Sequence, residues 1–114
     1  MTKQEVRKAW VKALRSGQYK QGQHSLCTNK RYCCLGVLAE LAVQYGVAKK
    51  LSNLYDGREG FLSSGIMDWV GLQTDSGRYM KGYNTTSLAL MNDQGMSFTD
   101  IADIIESNPP DLFV

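Results

Sequence analysis

Histidine occurs once in this sequence, at His24, and that scarcity removes most acid–base chemistry. A serine or cysteine nucleophile needs a positioned base, and only one imidazole is on offer. No pair of carboxylates stands out either. Asp100, Asp103 and Glu106 read as the solvated face of a last helix. Neither G-x-x-x-x-G-K-[ST] nor G-x-G-x-x-G is present, so the familiar phosphate-cradling loops are missing. Cysteine occurs three times, an odd count that closes no disulfide framework. The only prolines, Pro109 and Pro110, are adjacent and end the last helix. Apolar runs fall far short of the ~20 residues a bilayer span needs. The opening residues MTKQEVRKAW lack the apolar stretch of a secretory signal. A cytosolic protein with reduced thiols is the expectation, with no membrane partner.

What the chain does have is the composition of an ordinary folded domain. Apolar residues make up 43% and charged residues 21%, which places it among globular rather than disordered chains. A length of 114 residues suits one hydrophobic core, so a single domain over 1–114 is expected. The net charge of +2 hides an uneven spread. Residues 1–50 carry ten Lys or Arg against Glu5 and Glu40, whereas residues 51–114 carry three against nine acids. Such a split can mark an anion-binding surface in the first half. The plainer account is two halves that complement each other when packed, or solvated helix faces.

The pattern of apolar residues predicts an α+β domain of about five short helices with one or two small β-hairpins. Thr2 and Glu5 form a capping box, and Val6, Ala9, Trp10, Ala13 and Leu14 make one apolar stripe before Gly17. Ser25–Thr28 and Arg31–Cys33 can pair across the Thr28-Asn29-Lys30 turn. A central helix is expected over Leu35–Tyr45. Gly36 in its first turn costs ~1 kcal/mol relative to Ala, which suggests that another backbone or a ligand comes close there. Residues 47–62 read as loop with short strands near Leu54-Tyr55 and Phe61-Leu62, turned at Asp56-Gly57. A short helix begins at Ser63 or Ser64 and buries Ile66, Trp69 and Val70. Residues 73–83 read as a polar, glycine-punctuated loop. Asn84 or Thr85 is expected to cap TSLALMND, which Gly95 ends. Ser97 caps the last helix with Ile101, Ile104 and Ile105 inward.

The stretch YCCLGVLAEL, Tyr32–Leu41, raises the question of thiol chemistry. His24, Cys27, Cys33 and Cys34 form an H-x2-C-x5-C-C set, but adjacent cysteines point in different directions and tetrahedral zinc favours separated pairs. No metal and no cofactor is therefore expected. A thiol at a helix N-terminus has its thiolate favoured by the dipole, yet cysteine is also among the most buried residue types. Small core residues where a strand turns into a helix are the favoured reading, and an enzyme is not. Binding is better supplied. Tyr19, Lys20, Gln21, Gln23, Lys30, Arg31 and Tyr32 bring rings, cations and amides into one short region, which suits a base that stacks and a phosphate that must be neutralised. Arg78, Tyr79, Lys81 and Tyr83 offer a second set that could act as a lid. An exposed loop with tyrosines lying on the core explains the same residues. Asn92 and Asp93 read as helix termination and turn capping.

The blocks ALRSGQYKQGQHSL, YCCLGVLAEL and LALMNDQGMSFTDIADIIESNP resemble a family of small uncharacterised proteins abundant in tailed bacteriophages and prophages. The resemblance runs from Trp10 to Pro109, with residues 47–83 matching nothing in particular, and it brings no catalytic residues. It implies a phage accessory protein acting in the cytoplasm of the infected bacterium. By analogy with small counter-defence proteins, the leading expectation is a homo-oligomeric protein that sequesters an anionic nucleotide-type signal without cleaving it. Its site would be Tyr19, Lys20, Gln21, Gln23, Arg31 and Tyr32, with Arg78, Tyr79 and Lys81. Three alternatives follow in order. The first is a protein–protein inhibitor of a host defence nuclease or effector. The second is an enzyme degrading a nucleotide signal through Cys33 or Cys34. Nucleic-acid binding by the basic first helix, marked by steep salt dependence, comes last.

Overall fold

A computed structural model describes residues 1–114 and shows the expected α+β architecture. Helix α1, Lys3–Arg15, starts where its capping box closes in both directions. Thr2 Oγ1 accepts from the Glu5 amide at 3.1 Å, and the Thr2 amide donates to Glu5 Oε1 at 2.9 Å. That satisfies two of the orphan donors of the first turn. Its stripe of Val6, Trp10, Ala13 and Leu14 is buried. Trp10 also donates its indole N–H to the Cys34 carbonyl at 2.9 Å, so it ties α1 to the centre of the molecule.

The hairpin between β2, Cys27–Thr28, and β3, Arg31–Tyr32, turns on Asn29 and Lys30. Both have φ in the left-handed region, 51° and 61°, as a type I′ turn demands. Strand β1, Lys20–Gln21, adds to the far side of β3 in parallel, giving the order β1-β3-β2. The chain then enters helix α2, Cys34–Gln44, with Cys33 as N-cap, one residue earlier than its expected span. Gly36 has the close neighbour its position suggested. A Cβ there would lie 1.8 Å from the carbonyl oxygen of Leu26, the residue before β2.

Residues 47–62 depart from expectation. Strand β5, Leu54–Tyr55, is present, but its partner is β4, Lys50–Leu51, and Phe61-Leu62 is not a strand. Asp56 and Gly57, at φ 52° and 79°, turn the chain so sharply that Tyr55 bridges Arg58 instead of leading into a longer hairpin. Leu62 is buried, and its amide goes to the Asp75 carbonyl. Helix α3, Ser64–Val70, is capped by Ser63 and buries Ile66 and Val70. Trp69 is only half-buried, tilted against Tyr45 at 5.8 Å between ring centroids.

The segment expected as a polar loop contains the longest hairpin of the fold. Strand β6, Arg78–Lys81, pairs with β7, Asn84–Ser87. Gly82, at φ 62°, is the first of two turn residues, and Tyr83 stays out of the left-handed region, the pattern of a type II′ turn. Because Asn84 and Thr85 belong to β7, helix α4, Leu88–Asp93, is capped later than expected, by Ser87. Helix α5, Phe98–Ser107, is capped by Ser97 as expected; it buries Ile101 and Ile105, and Ile104 is half-buried. It packs along α1. After Pro109 and Pro110 the chain runs back between α3 and β6. The Pro110 and Leu112 carbonyls accept from the Met80 and Gln73 amides, and the Val114 amide donates to the Gly71 carbonyl. No helix is long and apolar enough to cross a membrane.

Candidate functional site

The pleat of the three-stranded sheet divides the residues expected to form one site. Residues paired across neighbouring strands share a face. Lys20 pairs with Arg31 and Arg31 with Thr28, so these three form a row, and all three are exposed. Gln21, Tyr32 and Cys27 form the opposite row, turned inward. On the outer row neither Lys20 nor Arg31 has a carboxylate partner, and exposed Lys30 lies in the adjoining turn. Like charges opposite each other on a sheet repel. The backbone at Gly22 comes close to this row, since a Cβ there would lie 2.9 Å from the Arg31 Cβ. Thr28 Oγ1 shares a hydrogen bond of 2.5 Å with Ser25 Oγ. Gln23 and His24 are exposed in the connection to β2.

The inner row holds the structure together. Gln21 donates to Asn92 Oδ1 at 2.8 Å and to the Met96 carbonyl at 2.7 Å. Asn92 is fully buried and fully used. Its Oδ1 also accepts from the Cys34 amide at 3.1 Å, while its Nδ2 donates to the Gly22 carbonyl at 2.8 Å. One side chain thus joins α4, the start of α2 and the end of β1, well beyond terminating its own helix. Asp93 accepts from the His24 amide at 2.9 Å, with the imidazole Nδ1 at 3.5 Å from its other oxygen. Tyr32 meets Tyr19 edge to face, 5.5 Å between centroids, and the Tyr19 hydroxyl accepts from the Gln44 amide at 3.3 Å. Burial, followed by the nearby Glu40 charge, raises the Tyr32 hydroxyl above its ordinary pKa.

A polar cluster that the sequence reading passed over lies beside Tyr32. Glu40 Oε2 accepts from the Tyr55 hydroxyl at 2.6 Å and from Lys50 Nζ at 3.0 Å. The ammonium stands over two rings, 5.6 Å from the Tyr32 centroid and 5.2 Å from that of Tyr55. Burial and the Glu40 carboxylate hold the Tyr55 hydroxyl far above its ordinary range, so it stays a donor. Both donors converge on the one carboxylate oxygen, Oε2.

The thiols are arranged for packing. Cys33 Sγ caps α2 by accepting from the Gly36 amide at 3.4 Å, and Cys34 Sγ faces the Leu88 carbonyl at 3.5 Å. Burial pushes the Cys33 thiol up to about 11 and the Cys34 thiol well above its usual value. Desolvation here outweighs the helix dipole, so neither is a thiolate at neutral pH. His24, the sole imidazole, is 76% exposed beside Asp93. No three His, Cys, Asp or Glu side chains converge as metal ligands would.

The second expected set lies on β6, and alternation splits it as well. Arg78 and Lys81 are exposed, but Tyr79 is 3% exposed and belongs to the core, so it is not part of an open loop. The Tyr79 hydroxyl and the Thr86 hydroxyl, on cross-strand partners, are buried without a hydrogen-bond partner. Arg78 lines a cleft of about 330 Å³ with Thr74, Thr85 and Asp111. No hydrogen bond or ion pair joins Arg78–Lys81 to residues 19–32.

Fold and site together define a small α+β domain with an exposed cation row on a minimal sheet and a core closed by buried amide and thiol groups. The chain belongs to the family of the domain of unknown function DUF8296, whose model matches residues 2–109. No curated protein and no solved structure matches it.

Proposed function

We propose that the protein binds and sequesters an anionic, nucleotide-type small molecule without cleaving it, using the Lys20–Arg31–Thr28 row. The observation that carries this reading is the parallel pairing of β1 with β3, which sets two unpaired cations side by side on the solvent face. A phosphate bridging them would relieve their repulsion and accept charge-assisted hydrogen bonds, with Thr28 as a neutral donor. Tyr19 packs edge to face on Tyr32 of the inner row, so the contacts offered on the outer row are those to the phosphate. The resemblance to tailed-phage accessory proteins supports a role in the infected bacterial cytoplasm; action against a host signal as a homo-oligomer follows only by analogy with small counter-defence proteins. The protonated, buried state of Cys33 and Cys34 leaves the cysteine-enzyme alternative little support.

Titration calorimetry against AMP, ADP-ribose and cyclic dinucleotides tests the proposal. The wild type should bind at least one of them, with the recovered ligand unchanged in mass. The Lys20→Ala, Arg31→Ala double variant should bind it at least about tenfold more weakly, as expected for two lost charged hydrogen bonds. Equal binding by the folded double variant, or consumption of the ligand, would overturn it.

A further inference from the structure

A different surface carries its own inference. Gln4, Arg7, Lys8, Val11, Lys12 and Arg15 recur at helical spacing along a second face of α1 and line one wall of a groove of about 1020 Å³. Ile105 and Glu106 of α5 form the facing wall. Val11 and Ile105 are almost fully buried at its floor, at 6% and 3% exposure, and the stems of the cations extend that apolar lining. The charges above it are sorted. Arg15 bridges Asp103 at 2.5 Å and Glu106 at 2.8 Å, so one cation offsets part of the acidic charge at the far wall. Arg7 is held by the Val70 carbonyl at 2.9 Å and stacks on Phe113, 3.8 Å from the ring centroid. Lys8 and Lys12, exposed and one helical turn apart, have no carboxylate partner.

We infer that this groove docks an acidic amphipathic helix of another protein. The lined face, from residue 4 to residue 15, runs about 17 Å, three turns of helix at 1.5 Å per residue. Carboxylates four residues apart on such a segment meet Lys8 and Lys12, and an apolar residue between them settles over Val11 and Ile105. A nucleic acid suits the groove poorly. An apolar floor of Val11 and Ile105 offers a sugar-phosphate backbone nothing, whereas it suits the apolar side of a helix. This surface shares no residue with the Lys20–Arg31–Thr28 row, so it stands or falls separately.

A displayed library of peptides of roughly 14 residues, enough for the three-turn face, selected on the wild-type protein supplies the test. The Lys8→Glu, Lys12→Glu variant serves for counter-selection, and both side chains are exposed. Enriched peptides should carry acids four apart flanking an apolar position. They should lose at least about tenfold in affinity for that variant and none for the Lys20→Ala, Arg31→Ala variant. Failure to enrich over the counter-selected variant, or enrichment of neutral or basic peptides, would overturn the inference. So would tighter binding of a short DNA duplex at about 0.15 M ionic strength, lost in the same lysine variant. So would an effect of that variant on self-association alone in sedimentation.

Discussion

Replacing Gly36 by Ala sets two effects of opposite sign against each other. Taken alone, the helix would gain, since Ala is favoured over Gly in a helix by ~1 kcal/mol. The added methyl, however, would sit 1.8 Å from the Leu26 carbonyl oxygen and 2.7 Å from its carbon. Ordinary contact needs about 3.5 Å, so one backbone must retreat by roughly 1.7 Å. Neither is free to do so. The start of α2 is held through Cys34, whose carbonyl accepts from Trp10 and whose amide donates to Asn92. Leu26 has a fully buried side chain, and its amide donates to the Glu59 carbonyl at 2.9 Å. Displacement therefore costs a buried hydrogen bond and the packing of a core leucine, and overpacking of this kind costs ~1–3 kcal/mol or more. We expect a net loss of about 3 kcal/mol in urea unfolding. With a denaturant slope of ~1–3 kcal/mol per molar, the midpoint falls by at least about 1 M. Gly65→Ala is the control, because a methyl there meets nothing within 4 Å in α3. It should leave the midpoint unchanged or raise it. A Gly36→Ala midpoint equal to or above wild type would refute the close approach.

Other consequences are as direct. Asn92→Ala leaves the Gly22 carbonyl, the Cys34 amide and the Gln21 amide without their buried partner, and should destabilise by about 3–4 kcal/mol; a loss under about 1 kcal/mol in the same assay would show that water replaces it easily. Cys33 and Cys34 should resist a thiol reagent at neutral pH in the native protein and react fully in denaturant, so rapid native labelling of either would contradict their burial. The Lys49 amide and the Ser63 hydroxyl donate to Asp56 and hold its carboxyl below the usual range. A lowered folded pKa gives stability that is present above the unfolded value, near pH 4, and lost as pH falls through the folded one. Asp56→Asn should therefore flatten the acid limb of a stability–pH curve, whereas an unchanged slope would place the acid sensitivity elsewhere.

The helices were legible because their signals are local. Thr2 with Glu5, Ser63 and Ser97 each announce a start within one turn, and the Asn29-Lys30 turn marks its own hairpin. Gly36 was legible as an anomaly, a poor helix former that only a close neighbour explains. The β6–β7 hairpin was not, since Arg78–Ser87 has little apolar alternation. Part of its support is non-local: the Met80 amide goes to the Pro110 carbonyl, thirty positions away in sequence. Strand β4 escaped for a similar reason, with Leu51 left 80% exposed. At the candidate site the residue types could be read but the faces could not. Strands of two residues carry no visible alternation, so nothing in the sequence separates Lys20 and Arg31 from Gln21 and Tyr32 until the register is known. Asn92 reads as a helix end because its partners lie some seventy residues upstream.

The packing of α1 along α5 also bears on how the molecule is made. On the ribosome Val6, Trp10 and Leu14 of α1 emerge more than 80 residues before Ile101 and Ile105 of α5. Until then Val11, which shares its groove with Ile105, lacks one wall, a target for chaperones and for premature association. Closing so long a loop places the docking of α5 on α1 late in synthesis and makes it slow for a chain of this size. A ribosome stalled before residue 98 would therefore hold a nascent chain whose α1 is incompletely packed and still open to proteases.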